Sequence, residues 1–170
     1  MTASLSTTLF LVLLASCLPI GVHSVIEYEW KQIGGDIDGE FARDLSGSSV
    51  SLSSDGHTVA IGAIQSSDPQ VNAGHVRIKQ YNSNTDTWDQ IGQDINGEFI
   101  LDQSGYSVAL SADGTRVAIG GWKNSNGFQP SSNYESGHVR VFEYNSTHWN
   151  QFGRDLDGES VMDNSGNAVA

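Results

Sequence analysis

Cysteine is nearly missing from this chain. Cys17 is the only one in 170 residues. It lies in a leading segment expected to be cleaved, so disulfides cannot hold the mature protein, which must rely on packing and sheet hydrogen bonds. Positive charge is scarce too: eight Lys and Arg face twenty Asp and Glu, for a net charge of −12. Such a surface attracts cations and repels phosphate backbones, which argues against a nucleic-acid partner. The one long apolar run, Leu9 to Leu18, is too short to span a bilayer comfortably, and no transmembrane span is expected elsewhere. Catalytic signatures are also missing. The mature chain has no cysteine nucleophile, no Gly-x-Ser-x-Gly elbow, no phosphate-binding loop and no paired-histidine zinc motif. No catalytic residue is assigned, and the chain is read as a non-enzyme.

What is present begins with a leader. The apolar run is followed by Pro19 and Gly21, and Val22-His23-Ser24 places a cleavage point between Ser24 and Val25. Residues 1–24 are expected to be a secretory signal peptide, which places the protein outside the cell or on its surface. Leu14-Ala15-Ser16-Cys17 resembles a lipobox, but the residues after Cys17 stay apolar.

The mature part, 25–170, repeats. "WKQIGGDIDGEF" at 30 returns as "WDQIGQDINGEF" at 88 and "WNQFGRDLDGES" at 149, with the tryptophans 58 and 61 residues apart. "SGSSVSLSSDGHTVAIGA" at 46 returns as "SGYSVALSADGTRVAIGG" at 104, and "GHVRIKQYN" at 74 as "GHVRVFEYN" at 137. The units run about 30–87, 88–148 and 149–170, the last partial. Length differences fall in polar loops, as a repeating structural unit requires.

Each unit predicts four short strands from period-two alternation between Gly, Asn and Asp turns, and no stretch shows a convincing helical period. The non-hydrophobic face of the first two strands carries Ser49, Ser51, Ala60 and Gly62 in one unit, and Ser107, Ala109, Ala118 and Gly120 in the next. A solvated face would carry charged or long polar side chains. Small residues predict a second sheet packed closely there. The expected fold is all-β, with β-propeller blades of four antiparallel strands. About two and a third repeats are present, fewer than a closed ring needs. The chain is therefore read as a fragment of a longer protein, or as one that closes with other chains.

These motifs resemble the FG-GAP repeat family, particularly its bacterial and algal-type branch, and more distantly the integrin α-chain propeller. Asp44-Leu45-Ser46-Gly47-Ser48-Ser49-Val50 matches the family's opening, with Ser46 where Phe is usual. Gly62-Ala63-Ile64 stands for Gly-Ala-Pro, Gly120-Gly121-Trp122 departs further, and Gly74-His75-Val76-Arg77-Ile78 and Gly137-His138-Val139-Arg140-Val141 match the third strand. The resemblance covers residues 30–170. It implies a secreted or cell-surface propeller used for binding, adhesion or display.

Four acidic or amide positions recur in the unit: Asp36, Asp38, Glu40 and Asp44; Asp94, Asn96, Glu98 and Asp102; Asp155, Asp157, Glu159 and Asp163. Their alternate spacing is that of a calcium loop, which makes calcium the one candidate cofactor. The glycines (Gly39, Gly97, Gly158) fall at the fourth position, where a calcium loop has its glycine at the sixth. The rival reading is an inter-blade connection shaped by Asx-type hydrogen bonds. Trp30, Trp88 and Trp149 are expected to pack. Trp122, Phe128 and Tyr134 share one long polar loop with no aromatic counterpart in 63–73, which makes them candidate ligand contacts. His75 and His138, each beside an arginine on one strand face, read as structural. Asn145-Ser146-Thr147 is a glycosylation sequon in a predicted turn.

Three functions follow from these observations. One is a non-enzymatic extracellular module that binds protein or carbohydrate. The second is a polysaccharide-active enzyme whose catalytic residues lie in missing blades. The third is a calcium-stabilised structural repeat.

Overall fold

Between its Asp-Gly and Asn-rich turns the chain folds into ten β-strands, with no helix among the described residues. The computed structural model describes residues 29–68, 70–125 and 135–170. The chain divides into two units, Met1–Lys31 and Gln32–Ala170. Of the first, only Glu29, Trp30 and Lys31 are described, and all three are exposed. The expected signal peptide, its cleavage point at Ser24 and Val25, and the loop residues Phe128 and Tyr134 lie outside the described residues. No helix of the described residues is long and apolar enough to cross a membrane.

Two antiparallel sheets of the same order make up the second unit. The first holds β1 (Ser46–Leu52), β2 (Thr58–Ala63), β3 (His75–Asn82) and β4 (Thr87–Gln90) in that order, with β5 (Ile95–Asn96) also on β3. The second holds β6 (Ser107–Leu110), β7 (Arg116–Gly121), β8 (His138–Tyr144) and β9 (Trp149–Gln151), with β10 (Leu156–Asp157) also on β8. The sequence predicts four strands per unit, and each sheet carries a fifth. The fourth strand is split. Lys79 faces Gln90 and Val76 faces Ile95, so two extra residues bulge out between β4 and β5, where Gly92 takes a φ of 73°. The acidic stretch is thus partly strand, running back along the start of β3.

The first hairpin of each sheet turns on a serine and an aspartate. Ser53 Oγ donates to Asp55 Oδ1 (2.6 Å), which also accepts from the His57 amide (2.9 Å). Ser111, Asp113 and Thr115 repeat this arrangement. Gly56 and Gly114 supply the left-handed residues, at φ 69° and 70°, that the reversal needs.

The small-residue faces do pack against neighbours. Ser49 Oγ donates to the Gly105 carbonyl (2.6 Å), and Ser51 Oγ accepts from the Leu110 amide (2.9 Å). A Cβ on Gly62 would overlap the Gly105 carbonyl oxygen. The opposite face of the second sheet meets this surface. Val108, Val117, Ile119 and Phe142 join Ala60, Val76, Ile78 and Ile95 in one buried cluster. The small face of the second sheet is covered in the same way by the start of the third unit. There Ser107 Oγ donates to the Gly166 carbonyl (2.8 Å), and a Cβ on Gly120 would overlap that oxygen.

The apolar face of the first sheet has no such cover among the described residues. Val50 is 63% exposed, whereas its counterpart Val108 is 8% exposed. Val50, Leu52, Ile33, Ile37 and Trp88 border an apolar groove of about 410 Å³ there.

The tryptophans follow the same logic. Trp149 is buried. Its Nε1 donates to the Ile91 carbonyl (2.9 Å), its ring lies against Gly92, and it packs on Tyr144. Trp88 is half-buried and uses Ile33 and Gly34 of the preceding copy the same way. The expectation that all three pack is corrected at Trp30, which is fully exposed. Each packed tryptophan docks on the preceding copy of its motif, and no described copy precedes Trp30.

Candidate functional site

The acidic positions of one copy do not gather around one point. Asp36 Oδ1 accepts from Gln32 Nε2 (2.8 Å), Asp94 Oδ1 from Gln90 (2.6 Å) and Asp155 Oδ1 from Gln151 (2.5 Å), so the first acid of each copy is bonded to a glutamine four residues back. The last acid braces its own turn. Asp102 is fully buried, and its Oδ2 accepts from the Glu98 and Phe99 amides at 3.0 and 2.7 Å. Asp163 accepts from the Ser160 amide (2.7 Å). Asp44 is buried at the matching place. Asp38 offers its backbone carbonyl to Arg77, as Asn96 does to Arg140. Asp157 and Glu159 are exposed.

The third acid meets a motif that the sequence reading treated separately. In Gly-His-Val-Arg, two residues apart on one strand put both side chains on one sheet face. Arg77 and Arg140 are buried there and clamp the acidic stretch. Arg77 Nη1 lies 3.4 Å from Glu40, and Arg140 Nη1 lies 3.6 Å from Glu98 Oε1. The histidine one step earlier faces the same carboxylate and also one from the following copy. His138 Nδ1 lies 3.9 Å from Glu98 Oε2 and 3.7 Å from Asp155 Oδ2. His75 is buried equivalently beside Glu40 and Asp94. Among the described residues, Glu40–His75–Asp94 and Glu98–His138–Asp155 are the two trios whose ligating atoms lie within 4.8 Å of one another. One signal in the sequence could have linked the motifs: the acidic stretch and Gly-His-Val-Arg recur together in both full units.

The electrostatics of the second trio follow from burial. Burial and then the Arg140 charge push the His138 imidazole down to about 4, so it is neutral at pH 7 and its contacts are not ion pairs. Burial raises the Glu98 carboxyl, and Arg140 partly opposes this. Burial likewise raises Asp102 against the bonds it accepts, and lowers Arg140 against its three carboxylate neighbours, Glu98, Asp155 and Asp102.

A second feature lies at the loop end of the sheets. Phe41, Ala42, Arg43, Asp44, Gln65, Ser67, Asp68 and Asn72 line an open groove of about 550 Å³. Phe41 is largely exposed, and Arg43 is held at a φ of 78°. The Asn72 carbonyl accepts from the Gln103 amide (3.3 Å), and Gln103 Oε1 accepts from Trp122 Nε1 (2.8 Å), which places Trp122 next along the same end. Trp122 is half-buried, packs on Tyr106 with centroids 5.3 Å apart, and carries the Lys123 ammonium 4.8 Å from its ring. Sequence reasoning missed Phe41 and Arg43, because the groove forms between two segments some twenty residues apart. Asn145 lies in an exposed turn, where its Oδ1 accepts from the Thr147 and His148 amides.

No protein-family model matches the chain, and no curated protein matches it.

Proposed function

We propose that the chain is part of a secreted or cell-surface β-propeller protein of FG-GAP type. It binds extracellular protein or carbohydrate and is not an enzyme. The observation that carries this reading is the directional stacking of its units. Two sheets of the same order meet small face to apolar face, and the start of a third unit rests on the second sheet in the same manner. Further blades, from the same or another chain, complete the stack by covering Val50 and Leu52.

The loop end supplies the binding surface. An exposed aromatic ring beside a guanidinium, two carboxylates and two amides suits the apolar faces and hydroxyl groups of a sugar, or a peptide of mixed polarity. Trp122 extends that surface, with Phe128 and Tyr134 in the same loop of the sequence. The non-enzymatic reading is supported by the carboxylates, which recur from unit to unit and are occupied by glutamines, arginines and backbone amides. Asn145 is proposed as a glycan acceptor in a eukaryotic host.

The test is a glycan array and a peptide array probed with the full chain, followed by titration of the best hit against Phe41→Ala/Arg43→Ala and Trp122→Ala variants. A tenfold or greater loss of affinity, with an unchanged melting midpoint, is expected. Binding that survives all three substitutions removes the loop end from the function.

A further inference from the structure

The three residues Glu98, His138 and Asp155 come from three different places in the chain. Glu98 follows β5, His138 opens β8, and Asp155 precedes β10. His138 is fully buried, and neither of its ring nitrogens has a hydrogen-bond partner in the protein. A buried polar group without a partner costs about 1–3 kcal/mol, so such groups need an explanation. Its Nδ1 is aimed between two carboxylate oxygens, 3.7 and 3.9 Å away. Its Nε2 faces the backbone of Gly121, where a Cβ would come within 2.9 Å of it.

Local charge is unbalanced in a way that names the missing partner. Arg140 interacts with Glu98, Asp102 and Asp155, and among the described residues it is the cation within ion-pair distance of Glu98. With those three carboxylates ionised, the group carries two net negative charges. Arg140 Nη1 lies nearest Glu98 Oε1, which leaves Glu98 Oε2 turned toward the imidazole.

We propose that Glu98, His138 and Asp155 bind a divalent transition-metal ion of the zinc class, and that Glu40, His75 and Asp94 form a second such site one unit earlier. One imidazole and two carboxylates suit zinc and its neighbours, whereas calcium takes oxygen ligands alone. A tetrahedral ion with bonds of roughly 2.0–2.1 Å holds its donors about 3.4 Å apart. The observed spacings around Nδ1 exceed that by no more than half an ångström or so, a distance that flexible carboxylate side chains can close. Glu98 and Asp155 keep side-chain exposures of 33% and 25%, so an ion can enter from solvent and retain water as a fourth ligand. The ion would pin the acidic stretches of two successive units to the strand between them.

Untagged full chain, stripped with chelator, is titrated with zinc by calorimetry and with cobalt(II) by visible absorption. Two equivalents per chain are expected, with cobalt giving the intense bands of a low-symmetry four-coordinate site. The melting midpoint should rise by roughly 5–10 °C for each site filled at a hundredfold excess over Kd. His138→Gln and, as a milder change, Asp155→Asn should each remove one equivalent and half of the cobalt absorption. Calcium at equal concentration should compete with neither metal. No binding, displacement by calcium, or an unchanged stoichiometry in folded Asp155→Asn overturns the proposal. None of these outcomes bears on the groove at Phe41, which the arrays test separately.

Discussion

Replacing Gly62 with alanine isolates the contact on which the stacking of sheets depends. Gly62 lies in β2 with an ordinary strand backbone, so alanine there meets no torsional penalty. On conformational entropy alone it would stabilise by about 0.4–1 kcal/mol. Sterically it cannot fit. The new methyl would overlap the Gly105 carbonyl oxygen and approach Ser49 Oγ to 2.5 Å and the Gly105 carbonyl carbon to 3.0 Å. Restoring ordinary contact requires the 105 backbone to retreat by about 1 Å. That retreat breaks the 2.6 Å bond from Ser49 Oγ and strains the Gly105 and Tyr106 amides, which share the Gly120 carbonyl at 3.1 Å each. Overpacking costs about 1–3 kcal/mol and a lost hydrogen bond about 0.5–1.5 kcal/mol, for roughly 2–4 kcal/mol in all. In a chain of this size the melting midpoint should fall by roughly 5–15 °C. Thermal denaturation followed by circular dichroism reads this directly. Gly35→Ala is the control, because a Cβ there meets nothing within 4 Å. Should Gly62→Ala melt within a degree of Gly35→Ala, the close approach of the two sheets is not as described and the stacking argument fails.

Other predictions follow from the buried acids and the turns. Asp102→Ala should lower the urea midpoint by the equivalent of roughly 2–3 kcal/mol with an unchanged m-value, because it strands two amides; Asp102→Asn, which keeps an acceptor oxygen, should lose less. In chelator, NMR titration should find the His138 imidazole neutral down to about pH 4. A folded value depressed below the ordinary 6.5 gives a contribution to stability that is fully present above pH 6.5 and lost as pH falls toward 4. Glu98 and Asp102, both raised, act in the opposite sense, so the difference between wild type and His138→Gln isolates the effect. Asp113 is held down to about 2 by its bonds from Ser111 and Thr115, and its contribution should persist above the ordinary 3.8 and vanish as pH falls through 2. An Asp113→Asn variant that keeps the same acid limb would contradict this.

The strands were legible because they are short, alternate with period two and end in Asp-Gly turns that recur from unit to unit. The close sheet contact was legible from Ser49, Ser51, Ala60 and Gly62, whose small side chains have no other use on a sheet face. The split of the fourth strand was not, because Gly92 looks like an ordinary turn glycine until its neighbours are paired with β3. The candidate site was less legible still. Calcium-loop spacing drew attention to acids within one copy, yet the structure joins Glu98 to an imidazole 40 residues later and to an acid of the next copy. Such a grouping depends on strand order, and spacing along the chain does not encode it. Trp30 shows the complementary point. Its motif is the same as that of Trp149, but a side chain is buried only if something lies opposite it.

The two faces of each sheet are chemically unlike, one small and hydroxylated, the other branched and apolar. Units built this way add in one direction only, like steps on a stair. A symmetric face-to-face dimer through Val50 and Leu52 would bring two branched surfaces together, without the serine-to-carbonyl bonds that Ser49 and Ser107 make between units. Growth therefore has a polarity. The rotation between successive units, set by how closely Gly62 and Gly120 let the next backbone approach, decides whether the series returns to its start as a ring or continues as a filament. At both contacts the approaching carbonyl meets a hydrogen atom where any other residue would carry a side chain.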